Sequence, residues 1–268
     1  MIYLLFNLKT FIMLNKKRIL SINVSNGSQN DFVDEIFSYS SRKQSSYVCF
    51  ANVHMLVEAH TSPTFSNVIN SADIVAPDGL PVAKSFDFIY GIKQQRIDGT
   101  SIMKRVLLEC QSNHKKVFFY GGTQDMLDKA AIYLKTKYNG LNIAGMFAPP
   151  FRALVQQEKE SVIERIKKSD ADFVFVVLGC PKQEAWMHEM KHKLPCVMLG
   201  IGGALPMILG IYKRAPIWLQ KIGMEWFFRL CQEPQRLFQR YAITNTKFLW
   251  LLASELFNKQ FHLKPRIT

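Results

Sequence analysis

Paired cysteines are missing from this sequence. The five present, Cys49, Cys110, Cys180, Cys196 and Cys231, are odd in number, widely spaced and never in a C-x-x-C pair. That argues against a disulfide scaffold and a cysteine-held zinc module, and fits reduced, mostly buried thiols of a cytosolic protein. Long hydrophobic runs are missing as well. No stretch reaches the roughly 18 uninterrupted apolar residues of a spanning helix. His188-Glu189-Met190-Lys191-His192 fits H-E-x-x-H in spacing, but the i and i+4 histidines read as an exposed helix face, and no other cluster has metal-ligand spacing. The full G-x-G-x-x-G spacing is absent, which disfavours a nicotinamide enzyme. Acidic residues are scarce: 21 against 34 Lys and Arg, a net charge of +13. Such a surplus implies an anionic partner, whether nucleic acid, nucleotide or the anionic face of a membrane.

What is present is an alternation. Apolar, strand-like runs are expected at 18–24, 47–51, 73–76, 116–120, 141–145, 172–178 and 196–201. Helical stretches lie between them, for example at 31–40, 99–112, 124–138 and 158–168. This pattern predicts an α/β fold with a mainly parallel sheet and helices on both faces. Ligands of such sheets bind beyond the carboxyl ends of the strands, so polar residues just after strands are the site candidates.

Five segments meet that criterion. Asn52 and His54 follow the second run, and Asp78-Gly79 follows the third. Gly121-Gly122, before the N-cap candidate Thr123, could cradle a phosphate at a helix N-terminus. Leu178-Gly179-Cys180-Pro181-Lys182-Gln183-Glu184 follows the apolar run Phe173–Val177, with Gln183 and Glu184 in the first turn of a helix. Gly202-Gly203 is a weaker fifth. Cys180 has no visible base beside it, so backbone packing explains it better than nucleophilic attack.

Asp78 is the best catalytic candidate, because an ionised carboxylate can take a proton from an attacking hydroxyl. Gly79 beside it lets a substrate approach the backbone. The competing reading makes Asp78 the N-cap of a helix starting near Pro81. Arg96 could pair with a diphosphate, or be a solvated loop arginine. Asp170-Ala171-Asp172 looks like a metal-holding D-x-D, but it precedes its strand and is expected at the opposite rim.

After Gly210 the composition changes. Ten Lys and Arg stand against three Glu, so seven of the net positive charges fall there, with Trp218, Trp226 and Trp250. Leu230, Leu237, Phe238, Tyr241, Phe248, Leu252 and Leu256 recur at roughly helical spacing. A basic, aromatic, helical tail suits a membrane interface; the alternative is a helix packed on the body. A nucleic-acid-binding module without enzyme activity is the rival explanation of the charge, but no recognition signature supports it. The expected organisation is an extension at 1–15, a catalytic domain at 16–211 and an appendage at 212–268. The apolar run Met1–Leu14 precedes its positive charges, the reverse of a signal peptide. It reads either as a membrane-touching segment or as translation counted from too early a methionine, with Met13 the start.

Together the motifs resemble the WecG/TagA/CpsF family of bacterial glycosyltransferases. The resemblance runs from about Tyr47 to Tyr241. It rests on Asn52, Ala72-Asp73, Pro77-Asp78-Gly79, Arg96 with Gly99, Gly121-Gly122, Leu178–Glu184, Gly202-Gly203, Lys213-Arg214-Ala215-Pro216, Gly223–Leu230 and Glu233-Pro234-Gln235-Arg236. It implies a Rossmann-like fold and a metal-independent, cofactor-free, inverting transfer of a sugar from a UDP-sugar to a polyprenyl-diphosphate-linked saccharide. The base would be Asp78, with Asn52, Arg96 and Gln183 contacting substrate. Arg229 and Arg236 would come from an appendage that approaches the inner face of the cell membrane. Assembly as a homo-oligomer is also implied. Departures from the family pattern fall at Phe50, Ser101, Pro206 and Gln239.

Overall fold

A computed structural model describes residues 13–262. The chain opens with a hairpin, β1 (Asn15–Ile19) and β2 (Ile22–Asn26), followed by α1 (Gln29–Ser41). Residues 18–24, expected as one strand, instead contain the reversal: Leu20 takes a φ of 55°, which turns the chain. Next come β3 (Ser46–Ala51), α2 (Val53–Thr61), α3 (Pro63–Asn70), β4 (Ile74–Pro77), α4 (Leu80–Tyr90) and α5 (Gly99–Ser112). The second half adds β5 (Lys116–Gly121), α6 (Gln124–Lys137), β6 (Asn142–Phe147), α7 (Gln156–Ser169), β7 (Phe173–Val177), α8 (Lys182–Met190) and β8 (Val197–Gly200). It closes with α9 (Ala204–Ile208), α10 (Ile217–Lys221), α11 (Glu225–Gln232) and α12 (Pro234–His262). The N-terminal extension lies outside the described residues up to position 12.

Six strands form one sheet in the order β4-β3-β8-β7-β5-β6, and every pairing in it is parallel. The fold is Rossmann-like α/β, as expected. Strand side chains alternate between two apolar layers, the consequence of a period of two. Tyr47, Cys49 and Ala51 of β3 face one layer with α2, α3, α4, α7 and α8. Val48 and Phe50 face the other with α1, α5, α6 and α9.

The 29 residues of α12 make a helix about 43 Å long. It packs against α2, α4 and α11. Phe248 and Leu252 enter the first apolar layer, each burial contributing about 2 kcal/mol. The hairpin holds the same helix too, with Leu20 N–H donating to Glu255 Oε2 at 3.1 Å. The opposite surfaces of the tail helices remain apolar and exposed, including Trp218, Phe238, Trp250 and Phe257. The tail thus has two apolar sides, one used by the body and one facing outward.

Candidate active site

Local hydrogen bonds at the end of β4 fix the centre of the site. Asp78 N–H donates to Ala51 O at 2.9 Å, which carries the chain past the end of β3. Gly79, at φ 96°, is the N-cap of α4. The Asp78 carboxylate is therefore not spent as a helix cap. Beside it, Ile97 N–H donates to Pro77 O at 2.9 Å, pinning the 96–98 segment along the edge of β4. Asp98 then caps α5, accepting from Ser101 N–H at 3.0 Å and Ser101 Oγ at 2.7 Å. Asn52 caps α2 through its Oδ1, which accepts from Met55 N–H at 3.1 Å.

These residues line a cavity of about 480 Å³. Its floor is the carboxyl end of β3 and β4, with Asn52, His54, Asp78 and Gly79. Arg96 and Asp98 form one side. The tail supplies the roof: Glu225 and Trp226 of α11, with Tyr241, Thr244 and Phe248 of α12. The pocket is therefore assembled from parts of the chain more than 150 positions apart.

The electrostatics of this cavity are unusual for an aspartate. Burial raises the pKa of Asp78 to about 7; Asp98 and Glu225 push the same way, while Arg96 and Arg229 oppose. Burial likewise opposes the charge of Arg96, but Glu225 and Asp98 outweigh it and raise the arginine's pKa. Burial also works against the Asp98 anion, yet hydrogen bonds from Ser101 and the charges of Arg214 and Arg96 lower its pKa. His54 is pushed down to about 4, first by burial and then by Arg240, so it is neutral at pH 7. A carboxylate near its half-protonation point is suited to accepting a proton at neutral pH.

Arg96 is not a solvated loop arginine. It pairs with Glu225 through Nη1, and its Nη2 lies 3.3 Å from both Asp98 Oδ2 and Gln220 Oε1. Arg214 Nη2 meets the other Asp98 oxygen at 3.1 Å. Arg229 lies over the turn after β8: a Cβ added to Gly203 would meet its Nη2 at 3.7 Å.

The glycines after β5 and β7 occupy the same rim but not the cavity. Three strand spacings separate β5 from β3, about 14 Å. Gly121, at φ 107°, has a further constraint: a Cβ there would come within 2.5 Å of Val177 O. Gly122 N–H donates to Val177 O at 2.8 Å, and Thr123 caps α6, accepting from Met126 N–H.

Gln183 and Glu184 differ from expectation. Both are buried, at 6% and 0% exposure. Gln183 Oε1 accepts from Gly179 N–H at 3.2 Å, while Nε2 donates to Gly200 O at 2.9 Å and Glu184 Oε1 at 2.8 Å. The amide thus clamps the β7–α8 turn to the end of β8. Burial raises the pKa of Glu184. Arg236 falls in the first turn of α12, and its side chain lies outside the described residues.

Sequence reasoning passed over Asp98, Arg214, Gln220 and Glu225 as site residues. Their partners lie 116 to 129 positions away, a separation that no local periodicity reports. Asp170 and Asp172 do sit at the opposite rim. Asp172 accepts from Lys116 N–H at 2.9 Å and is buried, so it is a structural anchor.

Fold and pocket define a Rossmann-like α/β chain with an acid–arginine site at the carboxyl ends of its strands. The chain belongs to the glycosyl transferase WecG/TagA/CpsF family, whose model matches residues 17–262. It is 28% identical over 249 residues to an N-acetylglucosaminyldiphosphoundecaprenol N-acetyl-beta-D-mannosaminyltransferase of Bacillus subtilis, covering 92% of this chain and 95% of that protein. The protein of the same name from Bacillus spizizenii is 32% identical over 219 residues, with 78% and 83% covered. That from Staphylococcus aureus is 29% identical over 226 residues, with 83% and 87% covered.

Proposed function

We propose that this glycosyltransferase moves N-acetylmannosamine from a UDP-sugar to a polyprenyl-diphosphate-linked N-acetylglucosamine, with inversion and without a metal. The sugar and the lipid-linked acceptor come from the names of the relatives. The observation that carries the chemistry is Asp78: a carboxylate at the pocket floor, uncommitted to the neighbouring helix cap, with a pKa of about 7.

Asp78 takes the proton of the acceptor hydroxyl. The hydroxyl oxygen bonds to the anomeric carbon on the face opposite the diphosphate. The bond from that carbon to the phosphate oxygen breaks, and its electron pair leaves with UDP. Arg96 stabilises the charge that gathers on the diphosphate. Asn52, whose Oδ1 is committed to Met55, offers its Nδ2 to a sugar oxygen. Gly121, Gly122 and Gly179 shape the rim toward the donor, and Gln183 holds that rim in place.

No helix among the described residues is long and apolar enough to cross a membrane. The exposed aromatic side of α10–α12, with its lysines and arginines, supports peripheral attachment to an anionic membrane surface. The test is a panel of UDP-sugars with short-chain lipid-diphosphate acceptors, the product being identified by mass. Transfer of N-acetylmannosamine is the expected result. Transfer of another sugar overturns the donor assignment, and no transfer from any donor overturns the reaction.

A further inference from the structure

Three side chains of the tail converge on two side chains of the body beside Asp78. Glu225 and Gln220 reach Arg96, and Arg214 reaches Asp98. These groups are largely shielded: the side-chain exposures are 17% for Arg96, 15% for Asp98, 21% for Glu225 and 28% for Arg214. The cluster contains two positive and two negative charges, so it is balanced without any ligand. Arg96 already has a carboxylate on Nη1 and a second on Nη2. It has no free charge to offer a diphosphate.

A phosphate and a carboxylate bind an arginine fork in the same way, through paired N–H···O bonds. Both cannot occupy the same N–H groups. Glu225 is also in the first turn of α11, so letting go of Arg96 loosens the connection that seats α11 over the pocket, with α10 joined to the same arginine through Gln220.

We propose that Glu225 stands in for the anionic substrate at Arg96, so that diphosphate binding and release of α10–α11 from the body are one coupled exchange. This rests on the reading of Arg96 as a diphosphate-binding residue. Without substrate, Glu225 holds the fork in place beside Asp78 and keeps the roof closed. With substrate, the diphosphate takes the fork, Glu225 moves out, and the roof opens toward the lipid-linked acceptor. The buried charge of Arg96 is thereby never left without an anionic partner, which would be costly.

The test uses the full chain, inorganic pyrophosphate and UDP, with affinity read by calorimetry and backbone exchange read by deuterium uptake. Glu225→Gln is expected to tighten pyrophosphate binding by about tenfold, and to leave it unchanged in an Arg96→Met background. In the wild type, either ligand is expected to raise deuterium uptake across 217–232. If the Gln variant is unstable, the wild-type exchange experiment still decides. Binding with unchanged or reduced uptake at 217–232 overturns the exchange while leaving Arg96 as an anion site. Equal or weaker pyrophosphate binding by a folded Gln variant does the same. Wild-type protein that binds neither ligand overturns the diphosphate reading of Arg96 and this inference with it.

Discussion

Ile97 N–H and Pro77 O form a 2.9 Å hydrogen bond that sets Arg96 and Asp98 on either side of Ile97 against the end of β4. One backbone bond thus brings an arginine and a second acid to Asp78, about 20 residues earlier in the chain. Burial is the largest cause of the raised pKa of the proposed base, and this backbone bond delivers Asp98 and Arg96, the charges next in weight.

The first consequence concerns pH. A base with a pKa of about 7 is active only when ionised, so kcat/KM should fall tenfold per pH unit below that value and level off above it. Asp98 raises this pKa, so Asp98→Asn should move the acid limb to lower pH while keeping the α5 cap. A pH–rate profile with its limb near 4 in the wild type would contradict the tuning.

Stability should show the same group with the opposite benefit. The folded pKa of Asp78 lies above its unfolded value of about 4. Its protonated form therefore favours folding at low pH, and that stability is lost as pH rises through about 7. Asp78→Asn should raise Tm at pH 8 and leave it unchanged at pH 4, as measured by calorimetric melts at both values. Equal effects at both pH values would exclude the linkage.

The fold and the position of the site were legible in the sequence for physical reasons. The apolar runs of β3, β5, β7 and β8 are buried on both faces, so their β-branched and aromatic composition is continuous and easily seen. Parallel strands also dictate that Asn52 and Asp78 share one rim. The orientation of Gln183 was not legible, because a polar residue in the first turn of a helix can face ligand or backbone with the same sequence. Nor was the Arg96–Glu225 pair, which depends on how the tail folds back over the body.

Gln183 should accordingly behave as a structural residue. Gln183→Leu leaves Gly179 N–H and Gly200 O without their partner and should cost about 1–3 kcal/mol of stability. Chemical denaturation measures this directly. The KM for the donor should change little in protein that remains folded, and a raised KM with unaltered stability would return Gln183 to the ligand.

Membrane attachment should depend on the outward side of the tail. Replacing Trp218, Phe238 and Trp250 by Ala, all more than 60% exposed, should weaken flotation with anionic vesicles by about tenfold or more without lowering Tm. Added salt should weaken the wild type as well, through screening of the basic residues. Vesicle binding that survives both changes would place the attachment elsewhere.

The most direct test of the account compares wild type with Asp78→Asn, using UDP-N-acetylmannosamine and a short-chain lipid-diphosphate N-acetylglucosamine, with product detected by mass and UDP affinity by calorimetry. The account predicts transfer by the wild type, a loss of about 10²–10⁴-fold in the variant, and unchanged UDP binding. Wild-type rates from Asp78→Asn would contradict it.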